Sequence, residues 1–352
     1  MKTSKLERED LERIVNHCNM SKFEGKVILI TGATGLIGKM LVKSLLYWNK
    51  INAVSPIHII IVVRNLEKAE KIFGKSLNSE LEVIVSDVTD LDQIQHQIDY
   101  IVHCACETAS MNFVNEPVET IETAVKGTSN LLKVARACKA SSFVFLSSME
   151  VYGTPQSNEK ISEEHSTNID TMRVRACYPE SKRLCEALCT SYASEYNVNT
   201  KVLRLTQTFG VGVSYYDNRV FAEFSRCIIE GKDIILKTKG ETCRSYLYVA
   251  DAVLAILIVL LNGKSGEVYN VANENSYCSI YEMAKLAASL DPEKKIKVLV
   301  RNNVDAEKLG YAPILKMNLD TTKLKSLGWS PTVELQQMFE RMISDMKSSC
   351  KN

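Results

Sequence analysis

The 352-residue chain has almost no excess charge: Lys and Arg total 43, Asp and Glu 42, for a formal net charge of +1. A balance of this kind gives no electrostatic footprint for nucleic acid or a membrane surface, so neither is expected as a partner. Long apolar runs are also missing. The longest, Ala252 to Leu261, is too short to span a bilayer. The eleven cysteines include no two C-x-x-C pairs. Cys104-x-Cys106 closes an apolar segment with no partner pair to complete a zinc site. Cys185 and Cys189 share a helix face, which suits core packing better than ligation. An odd cysteine count without a secretory signal fits a reducing compartment, and a soluble cytoplasmic enzyme is expected. His17, His58, His96 and His165 are too dispersed for a metal centre, and His103 reads as a packed, hydrogen-bonded residue near a crevice. No metal site is expected. Internal repeats and low-complexity segments are absent.

The chain does have a glycine-rich turn in an informative place. Thr31-Gly32-Ala33-Thr34-Gly35-Leu36-Ile37-Gly38 follows the apolar run Val27–Ile30 and opens a second one, Met40–Leu46. In such a strand–turn–helix, Gly32 permits the tight turn and Gly35 lets the backbone approach a pyrophosphate. Gly38 allows close helix–strand packing, and the helix N-terminus offers free N–H groups to the anion. The segment predicts dinucleotide binding, with Thr34, Leu36 and Ile37 completing the cradle.

From Val27 onward, β-like runs at 27–31, 57–63, 82–86, 100–104, 142–147 and 200–205 alternate with helical patterns at 36–49, 119–138 and 178–196. That alternation specifies an α/β fold, a Rossmann-type doubly wound parallel sheet with its ligand crevice at the carboxyl ends of the strands. A smaller C-terminal substrate-binding lobe is expected to follow. The expected organisation is a helical extension over 1–21, with Leu11, Ile14, Val15 and Cys18 on one stripe, then an NAD(P)-binding domain over 22–206. A first piece of the substrate lobe (207–242) would consist of loops and one helix at 220–230. A return to the first domain (243–273) and a second lobe piece (274–347) complete the chain. The last piece reads as a helix at 279–290, a strand near 296–300 and a helix from Leu319 to Leu327.

Tyr178-Pro-Glu-Ser-Lys182 supplies candidate chemistry. Spacing of i,i+4 puts phenol and ammonium on one helix face. A tyrosine titrates near ~10 when free, and a neighbouring cation favours its phenolate. A tyrosine tuned in this way can take a proton from a hydroxyl while hydride leaves the carbon. Alone, the pattern also fits a solvated helix face. It gains weight from Ser147-Ser148-Met149-Glu150-Val151-Tyr152-Gly153, which follows the apolar strand Phe143–Leu146 and places Ser148 at a strand's carboxyl end.

T-G-A-T-G-L-I-G, S-S-M-E-V-Y-G, Y-P-E-S-K and R-S-Y-L-Y-V-A-D, in this order from about Lys26 to Pro331, resemble the extended short-chain dehydrogenase/reductases. Within them the likeness is to the NAD-dependent epimerase/dehydratase family acting on nucleotide sugars. The resemblance implies that Tyr178 is the catalytic base, that Lys182 binds the nicotinamide ribose and tunes Tyr178, and that Ser148 assists. It makes Asp87, with Val88 beside it, the adenine contact, and Arg244 the group reaching the substrate's diphosphate or sugar. Arg175-Ala-Cys-Tyr178-Pro-Glu-Ser-Lys182-Arg183 is similar to the tyrosine segment of UDP-glucuronate decarboxylases, which also carry a glutamate where this chain has Glu150. Members of the family often dimerise through helices, and Leu184, Ala187 and Leu188 suit either that seam or packing on the chain's own sheet.

Four departures from the family pattern bear on function. The second strand ends in Val63-Arg64-Asn65 with no acidic residue, and an arginine there accommodates a 2′-phosphate or stacks over the adenine, leaving both NAD and NADP open. Met149 stands where 4,6-dehydratases carry a proton-donating aspartic acid, which argues against dehydration. Glu150 remains either a base at C5 or a structural residue. Gln207 replaces the usual substrate-contacting asparagine, and Ala124 replaces another asparagine. The leading expectation is a nucleotide-sugar epimerase working by transient C4 oxidation. The alternatives are a decarboxylase resembling those acting on UDP-glucuronate and an NADPH-dependent reductase of sugar or polyol derivatives. A non-enzymatic cofactor sensor is disfavoured because Ser148, Tyr178 and Lys182 are all present.

Overall fold

A computed structural model describes residues 3–52, 54–91, 93–94, 96–293, 295–301 and 314–349. The first strands are β1 (Val27–Thr31), β2 (His58–Val63), β3 (Glu82–Val85), β4 (Tyr100–His103), β5 (Ser142–Ser148) and β6 (Thr200–Leu205). Then come β7 (Gln207–Phe209), β8 (Ile234–Leu236), β9 (Cys243–Tyr248), β10 (Glu267–Val271), β11 (Asn273–Ser279), β12 (Val298–Val300) and β13 (Lys316–Met317). A seven-stranded sheet runs in the order β10-β6-β5-β4-β1-β2-β3, every neighbouring pair parallel. Strand order reverses between β1 and β4. At such a switch point the two connecting chains leave on opposite sides of the sheet, and a crevice opens beyond the strand ends.

Helices cover both faces. They are α1 (Lys5–His17), α2 (Leu36–Ile51), α3 (Leu66–Phe73), α4 (Asn112–Asn115), α5 (Pro117–Ala137), α6 (Cys177–Tyr196), α7 (Val220–Glu230) and α8 (Val249–Asn262), then α9 (Ile280–Ser289), α10 (Thr322–Lys325) and α11 (Leu335–Ser349). Strand alternation sorts the core into two layers. Ile28 and Ile30 of β1 join one cluster with Met40, Leu41 and Leu254, whereas Leu29 joins the other with Leu131, Leu132, Cys185 and Cys189. The apolar run Ala252–Leu261 is explained by α8, a helix wedged between the sheet and α1 and α2 and buried on all sides. Among the described residues no helix is long and apolar enough to cross a membrane.

Beyond β6 the structure corrects the sequence reading in two places. The 207–242 stretch carries two short strands as well as a helix: β7 pairs with β9, and β8 pairs with β12. Strands of three residues whose partners lie far along the chain leave no periodic signal. The helix expected over Leu319–Leu327 shrinks to α10. Leu319 instead forms a bridge with Ile161, and the Thr321 amide and hydroxyl donate to the Glu274 carboxylate at 2.9 and 2.5 Å. These contacts keep the chain extended up to α10. A smaller mixed sheet, β11-β9-β13 with β7 on β9, stands beside the large one. Residues 302–313 of the expected second lobe piece lie outside the described residues.

Candidate active site

The carboxyl ends of β1 to β6 open onto a cleft of about 640 Å³. At β1 the turn is built by backbone crowding. Gly32 sits at φ +67°, and a Cβ there would lie 2.7 Å from the Ala105 amide nitrogen, just beyond β4. A Cβ on Gly38 would run into the Gly32 carbonyl oxygen and lie 3.0 Å from the Ala33 Cα. Gly38 therefore packs against the turn itself rather than against a strand. Gly35 caps α2 without any side-chain bond, leaving the first amides of the helix facing the cleft. This cradle fits a pyrophosphate. Thr34, Leu36, Ile37, Arg64, Asp87 and Val88 line the same cleft together with the three glycines.

Opposite the cradle, β5 delivers Ser148 and α6 delivers Tyr178 and Lys182. The Ser148 hydroxyl is hydrogen-bonded to the Tyr178 phenol and accepts the Glu150 amide at 3.2 Å. The Lys182 ammonium donates to the Leu146 carbonyl at 2.7 Å and lies 4.6 Å from the Phe145 ring centroid and 5.9 Å from that of Tyr178. Burial pushes the Tyr178 pKa up to about 12, against the pull of Lys182 and the Ser148 hydrogen bond. The group is therefore a phenol at neutral pH, and each further positive charge brought to it favours the phenolate.

Three features of this site left little trace in the sequence. Phe113 stacks on Tyr178 with ring centroids 4.2 Å apart and planes 12° from parallel. Arg175 clamps Glu150 with two bonds of 2.7 and 3.1 Å, fixing the position of its carboxylate in the cleft that Tyr178 also lines. Arg219, paired with Asp217 at 2.5 Å, lines the cleft from the β7–α7 loop. Arg175 was visible as the first residue of the segment resembling the decarboxylases, with nothing to pair it with Glu150. Phe113 and Arg219 carried none.

Gln207 lines the cleft, and its Oε1 is buried without a hydrogen-bond partner. Arg244, in β9, is not among the cleft-lining residues, yet its Nε is likewise buried and unpartnered. A buried acceptor and donor in this state are groups that a polar ligand would satisfy. Ala124 is buried, and its carbonyl accepts from the Cys185 thiol at 3.3 Å. His103 is fully packed between Thr31 (2.8 Å) and Thr128 (3.2 Å), and burial, aided by the Lys182 charge, lowers its pKa to about 3.

Residues 28–272 match the NAD dependent epimerase/dehydratase family. The chain belongs to that family. This NAD-dependent family consists of enzymes, and the homologues found act on nucleotide-sugar substrates. Among curated relatives, UDP-glucuronic acid decarboxylase 2 of Arabidopsis thaliana is 29% identical over 330 residues, covering 93% of this chain and 69% of the relative. UDP-glucuronic acid decarboxylase 1 of Xenopus tropicalis is 29% identical over 352 residues, covering 97% and 77%. Among solved structures, UDP-glucose 4-epimerase of Thermotoga maritima superposes with a TM-score of 0.78 at 23% identity, covering 92% of this chain and 99% of that one. UDP-glucuronic acid 4-epimerase of Bacillus cereus, in complex with NAD, gives 0.73 at 22% identity over 92% and 99%. The last two likenesses establish the fold of this family member.

Proposed function

We propose that this family member oxidises the C4 hydroxyl of a nucleoside-diphosphate sugar, alters the resulting ketone in place and reduces it again. The observation that carries the reading is Ser148, Tyr178 and Lys182 gathered at the end of β5, facing the cradle across one cleft. Gly32, Gly35, Gly38 and the open end of α2 would hold the dinucleotide's pyrophosphate, and Lys182 its nicotinamide ribose. The dinucleotide, when bound, accepts and returns a hydride. With the positive charges of Lys182 and of a bound nicotinamide favouring its phenolate, Tyr178 would take the proton from the C4 oxygen, and Ser148 would donate a hydrogen bond to that same oxygen. Gln207, Arg219 and Arg244 would receive the substrate's polar groups.

What happens to the ketone decides the product. Decarboxylation of a UDP-hexuronate is the reading we favour, on the strength of the curated relatives and of the Arg175–Lys182 segment with its clamped Glu150. A C4 ketone lies β to the C6 carboxylate, so carbon dioxide leaves to give an enolate whose charge falls on the oxygen held by Tyr178 and Ser148. Epimerisation is the second reading, because it needs no residue beyond Ser148, Tyr178 and Lys182. Incubation with UDP-glucuronate and NAD(P), followed by chromatographic separation of the epimers and mass spectrometry, separates the two. Carbon dioxide and a UDP-pentose are expected, whereas a C4 epimer of unchanged mass supports the second reading. Tyr178→Phe lowers turnover by on the order of 10³-fold, the scale of a lost general base. No turnover of any UDP-, CDP-, dTDP- or GDP-sugar by the wild-type protein would overturn both readings.

A further inference from the structure

We infer that the adenosine-ribose end of the cleft is built for a 2′-phosphate, so that this chain prefers NADP although it belongs to an NAD-dependent family. The inference rests on the dinucleotide reading of the cleft. A bare ribose offers hydroxyl donors that need an acceptor, and an acidic residue at the tip of β2 would meet that need. Here no acidic residue stands at that tip, and the nearest carboxylate, Asp87, is partly committed. Asp87 Oδ1 accepts both the amide and the hydroxyl of Thr89, each at 2.9 Å, and Asp87 Oδ2 faces Arg64 at 3.7 Å. The Asn65 side-chain oxygen accepts the Lys68 amide at 2.8 Å and caps α3. The Ser86 hydroxyl donates to the Asp87 carbonyl at 3.0 Å.

Two cations, Arg64 and Lys68, also line this end of the cleft. Arg64 follows the last residue of β2, and its side chain is 72% exposed, so its looser contact with Asp87 positions the guanidinium without enclosing it. Lys68, one turn into α3, lines the same end of the cleft. A phosphate monoester is a dianion that only accepts hydrogen bonds, and a guanidinium fork with an ammonium beside it matches that chemistry.

The test is calorimetric titration of the whole protein with ADP-ribose and with 2′-phospho-ADP-ribose. Neither ligand carries nicotinamide, so the readout is independent of turnover. The phosphorylated ligand is expected to bind about tenfold tighter or more, the scale of charged hydrogen bonds to one anion. That preference should shrink as salt is raised, because the cations are exposed. In the double variant Arg64→Gln/Lys68→Gln the difference between the two ligands disappears, and its residual ADP-ribose binding confirms that it is folded. Equal or tighter binding of ADP-ribose by the wild-type protein overturns the inference, as does a variant that keeps the preference. If the wild-type protein binds neither ligand, the dinucleotide reading itself fails, and the inference with it.

Discussion

His103 lies under the site with both ring nitrogens in hydrogen-bond contact with threonines, Thr31 on one side and Thr128 on the other. An unfolded histidine binds a proton below about 6.5, whereas this one resists until about 3 because burial disfavours its charged form. Between those values the unfolded chain holds more protons than the folded one. Stability from this residue is therefore complete above pH 6.5 and is lost as the pH falls toward 3. Replacing His103 by Asn should flatten the acid side of the stability profile, read as urea midpoints between pH 7.5 and pH 5, with a wild-type loss on the order of a few kcal/mol. A variant as acid-sensitive as the parent would contradict this. At this scale the sequence was informative where chemistry follows local spacing: Tyr178 and Lys182 share a face because they are one helical turn apart. It was silent on Phe113, 65 positions before Tyr178, because stacking between distant segments depends on the folded path of the chain.

Among the elements, α1 shows the same limit. Its stripe of Leu11, Ile14 and Val15 was visible as a helical repeat and is buried. Its charged residues gave no hint that they too would be enclosed. Asp10, fully buried, accepts from Arg341 at 2.9 Å and from the Tyr248 hydroxyl at 2.6 Å, and Glu7 pairs with the buried Lys43 of α2 at 2.5 Å. Arg341 also reaches the Leu6 carbonyl at 2.9 Å and Glu9 at 3.0 Å. A buried ion pair adds little over a well-packed apolar pair, but removing one partner leaves the other charge uncompensated. Arg341→Met should therefore cost about 3–5 kcal/mol in denaturant unfolding, whereas Glu9→Ala, at the exposed edge of the cluster, should cost no more than about 1 kcal/mol. Similar costs for the two substitutions would show that the cluster is solvated.

For the whole molecule, alternation of strand and helix patterns was enough to specify the doubly wound sheet and its crevice, since each βα unit announces itself locally. The second sheet was not legible, because β9 takes its neighbours from β7, β11 and β13, spread over more than a hundred residues. Outside the cleft, α4 to α6 leave apolar side chains in solvent: Met111, Val118, Ile121 and Leu184 are 46, 61, 42 and 49% exposed. Ala187 is exposed beside them, whereas Leu188 turns inward onto the chain's own core. We propose that this face joins two copies of the chain. Sedimentation should show a homodimer that Ile121→Asp with Leu184→Asp converts to monomer. A wild-type monomer at every micromolar concentration would refute it.

Asp345 of α11 accepts from Ser4 just before α1 and from the Gly212 amide, while the Gly212 carbonyl accepts from Lys39 of α2, the helix that opens at the glycine turn. Removing α1 would uncover the apolar surface on which Leu11, Ile14 and Val15 pack and take away the partners of Lys43, Tyr248 and Arg341, so this outer helix is a joint of the fold rather than an appendage.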